Sequence, residues 1–199
     1  GGAIWISGSS LELLNSTLSG NLAEGRGGGV YATAGSSIDI ISSTLSENNF
    51  RGNDSLRIED STVTLSNSII AGFSSAFFDC TSTGSSSVSI VGVSLIGSGG
   101  AACGLTPGPN LLTGDPGLGP LADNGGPTLT HAPQPGSPVL NAGDNASLPI
   151  DLLLDQRDIG FPRIFDGAVD LGALEVSTCN LRVITGDVTG SVRFLEACD

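Results

Sequence analysis

The densest group of residues able to do chemistry is a set of aspartates near the carboxyl end of the chain. Five of them fall between positions 151 and 170, with glycines at positions 160, 167 and 172. Carboxylates on glycine-rich loops can bind Ca²⁺, which takes six to eight oxygen ligands. The chain has neither EF-hand spacing nor the nonapeptide spacing of RTX repeats, and Arg157 and Arg163 could instead form salt bridges with these carboxylates. Salt bridges are favoured, and the candidate metal ligands are Asp155, Asp158, Asp166 and Asp170.

The single histidine, His131, is a second candidate for chemistry. The sequence does not define a Ser–His–Asp set, because many serines are available and none lies in a G-x-S-x-G motif. Glycoside hydrolysis needs two carboxyl groups at a set separation, and lyase chemistry in β-helices uses an Arg or Lys base. Arg26 and Arg51 fall at the same turn of successive repeats, where a solvated corner is the favoured interpretation. We expect His131 to make a structural hydrogen bond.

Four cysteines are present, and their spacing divides them into two local pairs. Cys80 is near Cys103 in the sequence, and Cys179 is near Cys198. Four cysteines allow three pairings, of which the two local disulfides are favoured. Closing a loop of that size contributes roughly 3 kcal/mol in the chain-entropy model. No C-x-x-C motif or Cys/His cluster indicates zinc or thiol redox chemistry, so we expect a secreted or cell-surface protein.

The composition and charge of the chain restrict its partners. The 199 residues carry 7 basic and 20 acidic side chains, which gives a formal net charge of −13. Such a surface repels nucleic acid and anionic lipid headgroups. No run of about 18 apolar residues occurs, so we expect no membrane insertion. Abundant glycine and few aromatic residues favour many short strands and tight turns over helices.

A repeat must position these residues. Residues 9–21 read SSLELLNSTLSGN and residues 36–48 read SSIDIISSTLSEN, with fainter copies from Ser61 and Ser87. Within each copy the apolar residues alternate, which predicts short strands with one buried face. A β-sandwich would not produce near-identical sequence segments at a fixed offset. Residues 1–112 are therefore predicted to form coils of a parallel β-helix, or β-solenoid, with about 25–27 residues each and an inward ladder of Leu18, Leu45, Ile70 and Leu95.

Two pairs of outward residues recur at the repeat offset and are the candidates for ligand binding. Trp5 and Tyr31 hold equivalent positions in the first two copies, and we expect them to stack on neighbouring coils. An aromatic pair of this kind could hold a sugar ring or could cover an edge of the core. Glu12 and Asp39 are also equivalent in the repeat and begin an outward row that could bind a cation, although a plain surface ladder is favoured.

The repeats and the second half of the chain carry a family resemblance. The strings GGAI and GGGV, followed by NSTLSGN and SSTLSEN, are similar to the repeats of polymorphic-outer-membrane-protein-type, pectate-lyase-like β-helices. The stretches GDPGLGPLADNGGPTLTHAPQPGSPVLNAG (114–143) and DQRDIGFPRIFDGAVDLGALE (155–175) closely resemble the choice-of-anchor Q domain of bacterial secreted proteins. The resemblance implies an all-β, right-handed parallel β-helix exported to the cell surface or medium, and it implies no characterised activity.

Resemblance and composition together divide the chain into three parts. Residues 1–112 are the coils, residues 113–176 an irregular Pro/Gly-rich cap, and residues 177–199 a short, truncated β extension tied by Cys179 and Cys198. Most of the ten prolines lie between Pro107 and Pro149, which argues against ordinary ladder-forming strands there. We expect the cap to wrap the end or the flank of the solenoid, and the first coil to continue from or pack on further polypeptide at Gly1.

The sequence favours a non-catalytic role outside the cell. We expect a β-helix that acts as an adhesin, stalk or matrix component, with carbohydrate or another surface protein as its partner. No cofactor is expected, with Ca²⁺ as the one candidate. The alternative is a polysaccharide lyase or glycoside hydrolase whose catalytic coils lie upstream of Gly1. The Asn-Thr-Asp, Asp-Asp, Gly-His-Gly and Arg-Ile-Lys blocks of polygalacturonase-type enzymes do not occur, so no catalytic residue is assigned.

Overall fold

The fold repeats a unit of three short strands. The computed structural model describes residues 2–48, 54–72 and 78–177, and the backbone of residues 180–184 and 193–197. The strands of the coils are β1 (Ile4–Ser7), β2 (Ser10–Leu14), β3 (Thr17–Ser19), β4 (Val30–Thr33), β5 (Ser37–Ile41), β6 (Thr44–Ser46), β7 (Leu56–Glu59), β8 (Thr62–Ser66), β9 (Ile69–Ala71), β10 (Cys80–Thr83), β11 (Ser87–Val91), β12 (Ser94–Ile96) and β13 (Leu111–Thr113).

Strands from successive coils stack into three parallel sheets. Sheet A has the order β1-β4-β7-β10, sheet B the order β2-β5-β8-β11, and sheet C the order β3-β6-β9-β12-β13. The register joins equivalent residues of the repeat, as in the row Leu11, Ile38, Val63 and Val88 of sheet B. The described residues contain no α-helix, and the chain makes about three full turns from β1 to β10, which stack four coils. The predicted all-β parallel β-solenoid is confirmed.

The core is a stack of aliphatic side chains enclosed by the three sheets. Alternate residues of each strand point inward, so that Val30 and Ala32 of β4 and Leu56 and Ile58 of β7 are fully buried. Leucine and β-branched side chains fit a pleated surface that is buried on one side. Each such side chain contributes roughly 1.5–3 kcal/mol when it is removed from water.

The fourth coil departs by one residue from the predicted inward ladder. Ile96, and not Leu95, is the register partner of Ile70, while Leu95 pairs with Ile69. The offset between the third and fourth coils is therefore one residue longer in sheet C than in sheet B. Because successive side chains of a strand point to opposite faces, this shift places Leu95 on the outer face of sheet C. The predicted inward position of Leu95 was therefore wrong.

The turn between sheets B and C explains this extra residue. Asn15, Ser42 and Asn67 stack at the turn with positive φ values of 52°, 45° and 47°. The fourth coil has Gly92 and Val93 where each earlier coil has one residue. The next position is a serine ladder, in which each backbone N–H donates to the hydroxyl of the following coil: Ser16, Ser43, Ser68 and Ser94. The hydroxyls thus accept hydrogen bonds from backbone N–H groups at the turn that have no partner within the sheets.

The cap lies along the flank of the solenoid, over the outer face of sheet C. Its Val139 and Leu171 are fully buried and form a second apolar cluster with Ile69, Ala71 and Leu95 of the coils. Within the cap, strand β14 (Leu118–Ala122) pairs antiparallel with β15 (Thr130–Pro133). Apart from this pair the cap is mostly turns, as its proline and glycine content predicts.

The remaining predictions about the chain's organisation concern its cysteines and its last residues. The predicted disulfide between Cys80 and Cys103 is present and ties β10 to a short 3-10 helix at Ala101–Cys103. Strand β16 (Asn180–Ile184) pairs antiparallel with β17 (Arg193–Ala197), while Cys179 and Cys198 lie outside the described residues. In the parts of the chain that are described, no helix has the length and apolar character to cross a bilayer.

Candidate functional site

An open cleft on the outer face of sheet A contains the predicted aromatic pair. Trp5 and Tyr31 are register partners on β1 and β4, so their backbones are about 4.8 Å apart. The Trp5 side chain is 67% exposed, and Tyr31 is half-buried. The cleft, which we call the aromatic cleft, has a volume of about 640 Å³, and its walls include Leu22, Glu24 and Arg26. Arg51, predicted to share the turn of Arg26, lies outside the described residues.

Glu59 organises the charged side of the aromatic cleft. Its Oε2 accepts a hydrogen bond of 2.6 Å from the Tyr31 hydroxyl, and its Oε1 pairs with the guanidinium of Arg26. Arg57 binds the same Oε1 at 3.1 Å and reaches Asp54 at 3.3 Å. The hydrogen bond from Tyr31 and the two arginines lower the pKa of Glu59, so this carboxylate stays ionised. The cluster therefore fixes the Tyr31 ring and the Arg26 head at the edge of the cleft.

The predicted acidic row occupies a different sheet. Glu12 and Asp39 are register partners in sheet B, followed by Thr64 and Ser89 as the repeat predicts. Both acidic side chains are exposed, and neither lines the aromatic cleft. The structure thus keeps the two acids apart from Trp5, and the four candidate ligand-binding residues do not form one site.

Asp155, the first predicted metal ligand, is engaged in a salt bridge inside the cap. Its Oδ2 lies 2.6 Å from Nη2 of Arg157 and accepts the backbone N–H of Glu175 at 2.8 Å. The Asp155 side chain is fully buried, and Arg157 also lies 3.9 Å from the ring centre of Phe161. Asp155 therefore stabilises the fold of the cap, which agrees with the salt-bridge interpretation of the sequence.

The other three predicted metal ligands serve turns and backbone donors. Asp170 accepts the backbone N–H groups of Asn141 and Val176 at 2.6 and 2.7 Å. Asp158 and Asp166 occupy turns with φ values of 73° and 55°. Among the residues that the structure describes, no three His, Cys, Asp or Glu side chains converge as a metal site.

Two further ionisable groups are buried in the cap. The Arg163 guanidinium, 1% exposed, donates to the carbonyl groups of Asp170 and Gly172 at 2.8 and 2.7 Å, and burial lowers its pKa. Glu175 accepts the backbone N–H groups of Phe165 and Asp170, while its burial raises the pKa of the carboxyl to about 7. These groups contact the backbone of the cap itself, so we assign them a structural role.

His131 joins the cap to the first coil. Its Nδ1 lies 2.8 Å from the carbonyl oxygen of Gly119, and its Nε2 lies 2.8 Å from the hydroxyl of Ser19. A carbonyl oxygen can only accept, so Nδ1 carries the proton and Nε2 accepts from Ser19 in the neutral imidazole. Both ring nitrogens are thereby used, and the side chain is 2% exposed. The predicted structural hydrogen bond is confirmed.

A second cleft lies between the cap and the carboxyl ends of the strands of sheet C. We call this space, of about 440 Å³, the flank cleft, and its walls include Ser46, Glu47, Asp79, Asp115 and His131. Asp79 accepts hydrogen bonds from the backbone N–H and the hydroxyl of Ser98, at 2.8 and 3.2 Å. Burial raises the pKa of Asp79 to about 6.

The sequence analysis missed the flank cleft, although the repeat contains one signal for it. The position directly after the third strand of each of the first three coils is Gly20, then Glu47, then Gly72. Gly20 and Glu47 have φ values of 67° and 59°, a conformation that suits glycine and strains glutamate. A charged side chain at a glycine position could have marked Glu47 as a candidate.

Comparison with known proteins gives no match, whether with family models, with curated sequences or with solved structures. The assignment of function therefore depends on the chemistry of the two clefts.

Proposed function

We propose that this chain is a non-catalytic segment of an extracellular or cell-surface β-helix that binds a neutral glycan in the aromatic cleft. The observation that carries the proposal is Trp5, an indole 67% exposed and in register with Tyr31. Exposed apolar patches with a polar rim are typical of binding surfaces. The C–H face of a pyranose ring stacks on an aromatic ring, and its hydroxyls need polar partners at the edge.

The aromatic cleft supplies those polar partners. Arg26 uses part of its five-donor guanidinium on Glu59, which leaves further N–H groups for ligand hydroxyls. Glu24, on the same wall, offers acceptor oxygens. Since Glu59 binds Tyr31 and both arginines, the polar edge is held in place before a ligand arrives, which reduces the entropy lost on binding.

Charge favours a neutral glycan over an acidic one. The two arginines near the cleft, Arg26 and Arg57, are already neutralised by Glu59 and Asp54. A polyuronate would also approach a chain with a net charge of −13. A neutral glycan needs no free cationic partner and is not repelled by the acidic surface.

The chemistry of Glu59 favours binding over hydrolysis. A glycosidase needs one carboxyl that stays protonated near neutral pH to protonate the leaving group. The pKa of Glu59 is lowered by Tyr31 and by the two arginines, so this carboxylate is a poor proton donor. We therefore propose an adhesin, stalk or matrix role.

Two further observations support the extracellular part of the proposal. The disulfide between Cys80 and Cys103 fits an oxidising compartment. The amino-acid sequence of residues 114–175 leads us to propose a relationship with choice-of-anchor Q domains and polymorphic-outer-membrane-protein-type β-helices of bacterial secreted proteins.

The single tryptophan makes the test direct, because selectively excited tryptophan fluorescence reports on Trp5 alone. Neutral hexasaccharides of glucose, mannose and xylose are titrated into the protein, with a galacturonate hexasaccharide as the charged comparison. We expect saturable quenching by at least one neutral glycan, and weaker or no quenching by the galacturonate. Tyr31→Ala should weaken the affinity by about tenfold or more, as loss of a stacking residue does.

Phe78→Ala is the matched control, because Phe78 is an exposed aromatic residue, 58% exposed, that does not line the aromatic cleft. Its affinity should equal that of the wild type. Absence of quenching by every neutral glycan at millimolar concentration would contradict the proposal, as would an equal loss in the Phe78→Ala variant.

A further inference from the structure

The flank cleft contains two polar groups that the protein itself leaves without partners. Ser46 is 7% exposed, and its hydroxyl makes no hydrogen bond with any part of the chain that the structure describes. The neighbouring Glu47 is half-buried. Its carboxylate makes neither a hydrogen bond nor an ion pair with the described part of the chain. Neither the Ser46 hydroxyl nor the Glu47 carboxylate is among the fully buried atoms that lack a partner, so both face the solvent of the cleft and are available to a ligand.

The backbone at Glu47 is strained. Its φ of 59° is a conformation that glycine adopts freely and that other residues adopt at a cost of order 1 kcal/mol. Gly20 and Gly72 occupy the equivalent corner in the adjacent coils. The fold therefore carries a glutamate where glycine would fit better, and the side chain lines the cleft.

The charges of the cleft select the ligand. Glu47, Asp79 and Asp115 contribute carboxyl groups to its walls, and no arginine is among the lining residues that the structure describes. An anionic ligand is disfavoured by this field, and a cation is attracted. Ca²⁺ takes six to eight oxygen ligands, whereas an ammonium group needs about three acceptors. A volume of about 440 Å³ lies in the range of small-molecule sites.

We propose that the flank cleft binds a small hydroxylated molecule carrying a protonated primary amine, with the Glu47 carboxylate as its counter-charge and the Ser46 hydroxyl as its hydrogen-bond partner. Asp79 is held by Ser98 and shapes the far wall. This site is separate from the aromatic cleft and does not depend on the glycan-binding proposal.

Glucosamine is the probe, and N-acetylglucosamine is its uncharged comparison, because acetylation keeps the ring and hydroxyls but removes the ammonium. Each sugar is titrated into the full ¹⁵N-labelled chain while the backbone amides of Gly97 and Ser98, which line the cleft, are followed. We expect saturable shifts with glucosamine and an affinity for N-acetylglucosamine lower by about tenfold or more, as expected for loss of a charge-assisted contact.

Variants of Glu47 separate a binding role from a structural one. Glu47→Gln should weaken glucosamine binding by about tenfold or more through loss of the ion pair. Glu47→Gly should abolish binding and leave the melting temperature unchanged or higher, because glycine relieves the positive φ. Glu12→Gln removes the same charge from the exposed face of sheet B and should bind glucosamine like the wild type.

Four results would overturn the proposal. They are the absence of saturable shifts with glucosamine, equal affinity for N-acetylglucosamine, unchanged binding by Glu47→Gln, and displacement of glucosamine by stoichiometric Ca²⁺. The third result would show nonspecific attraction to an acidic protein, and the fourth would show a metal site.

Discussion

Asn67 and Asp144 exchange two hydrogen bonds across 77 positions of sequence. Nδ2 of Asn67 donates to the carbonyl oxygen of Asp144 at 2.9 Å, and the backbone N–H of Asp144 donates to Oδ1 of Asn67 at 2.8 Å. The side chain of Asn67 therefore bonds to the cap backbone as a neighbouring β-strand would, because this segment of the cap belongs to no sheet. In the first coil, Asn15 donates similarly to the carbonyl of Leu154 at 3.0 Å.

Replacing Asn67 by glycine should loosen the cap from the third coil. Glycine accepts the φ of 47°, so the loss measures the two hydrogen bonds and not backbone strain. With two partly buried backbone groups left unpaired, we expect the free energy of unfolding to fall by about 2 kcal/mol. Equilibrium unfolding in urea measures this difference.

Ser42→Gly is the matched control for Asn67→Gly. Ser42 occupies the same corner one coil earlier, with a φ of 45°, and its buried hydroxyl has no hydrogen-bond partner in the described part of the chain. This variant should be neutral or slightly stabilised, since it loses no hydrogen bond and relieves strain. Equal destabilisation of the two variants would show that Asn67 acts through its backbone alone.

The solenoid was predictable because its information is local and repeated. Leu11 and Ile38 stand at the same place in near-identical text, so their pairing follows from the offset alone. The same reasoning gave the register of Trp5 with Tyr31. It failed at Leu95, because one additional residue in a turn moves every later side chain to the opposite face.

The clefts were less predictable because their parts come from distant segments without periodicity. The flank cleft joins Ser46 of the coils to His131 of the cap, which comes far later in the sequence. The sequence of the cap has no alternation of apolar and polar residues that would indicate which face of the solenoid it covers. In the aromatic cleft, the aromatic pair could be read from the repeat, but the role of Glu59 depends on contacts between three coils.

Leu171 should contribute strongly to the attachment of the cap. It is fully buried in the cluster with Ile69 and Leu95, so Leu171→Ala removes contacts and leaves a cavity. We expect a loss of about 2–5 kcal/mol in the free energy of unfolding. Ile159→Ala is the comparison, because Ile159 is 86% exposed, and its effect should stay within about 0.5 kcal/mol. Similar losses in both variants would contradict the burial of Leu171.

Removing the disulfide between Cys80 and Cys103 should destabilise the fourth coil. The bond closes a loop with a sequence separation of 23, for which the chain-entropy model gives about 3 kcal/mol. The double variant Cys80→Ala/Cys103→Ala should show this loss in urea unfolding. A double variant at Cys179 and Cys198 removes the other predicted pair instead, and it should leave the fourth coil as stable as in the wild type. Reductant alone acts on all four, so the engineered pair is the decisive comparison.

Asp79 should make the stability of the chain depend on pH. Its pKa is raised from 3.8 to about 6 by burial, so between these values the folded chain binds more protons than the unfolded chain. The free energy of unfolding therefore falls as pH rises through this window: the contribution is fully present below pH 3.8 and lost above about 6. Asp79→Asn does not titrate, so between pH 4 and 7 the variant should gain up to about 3 kcal/mol on the wild type. The ¹³C shift of the Asp79 carboxyl should titrate in step; a difference that stays constant with pH, or that changes in the opposite direction, would show that burial does not control this carboxyl.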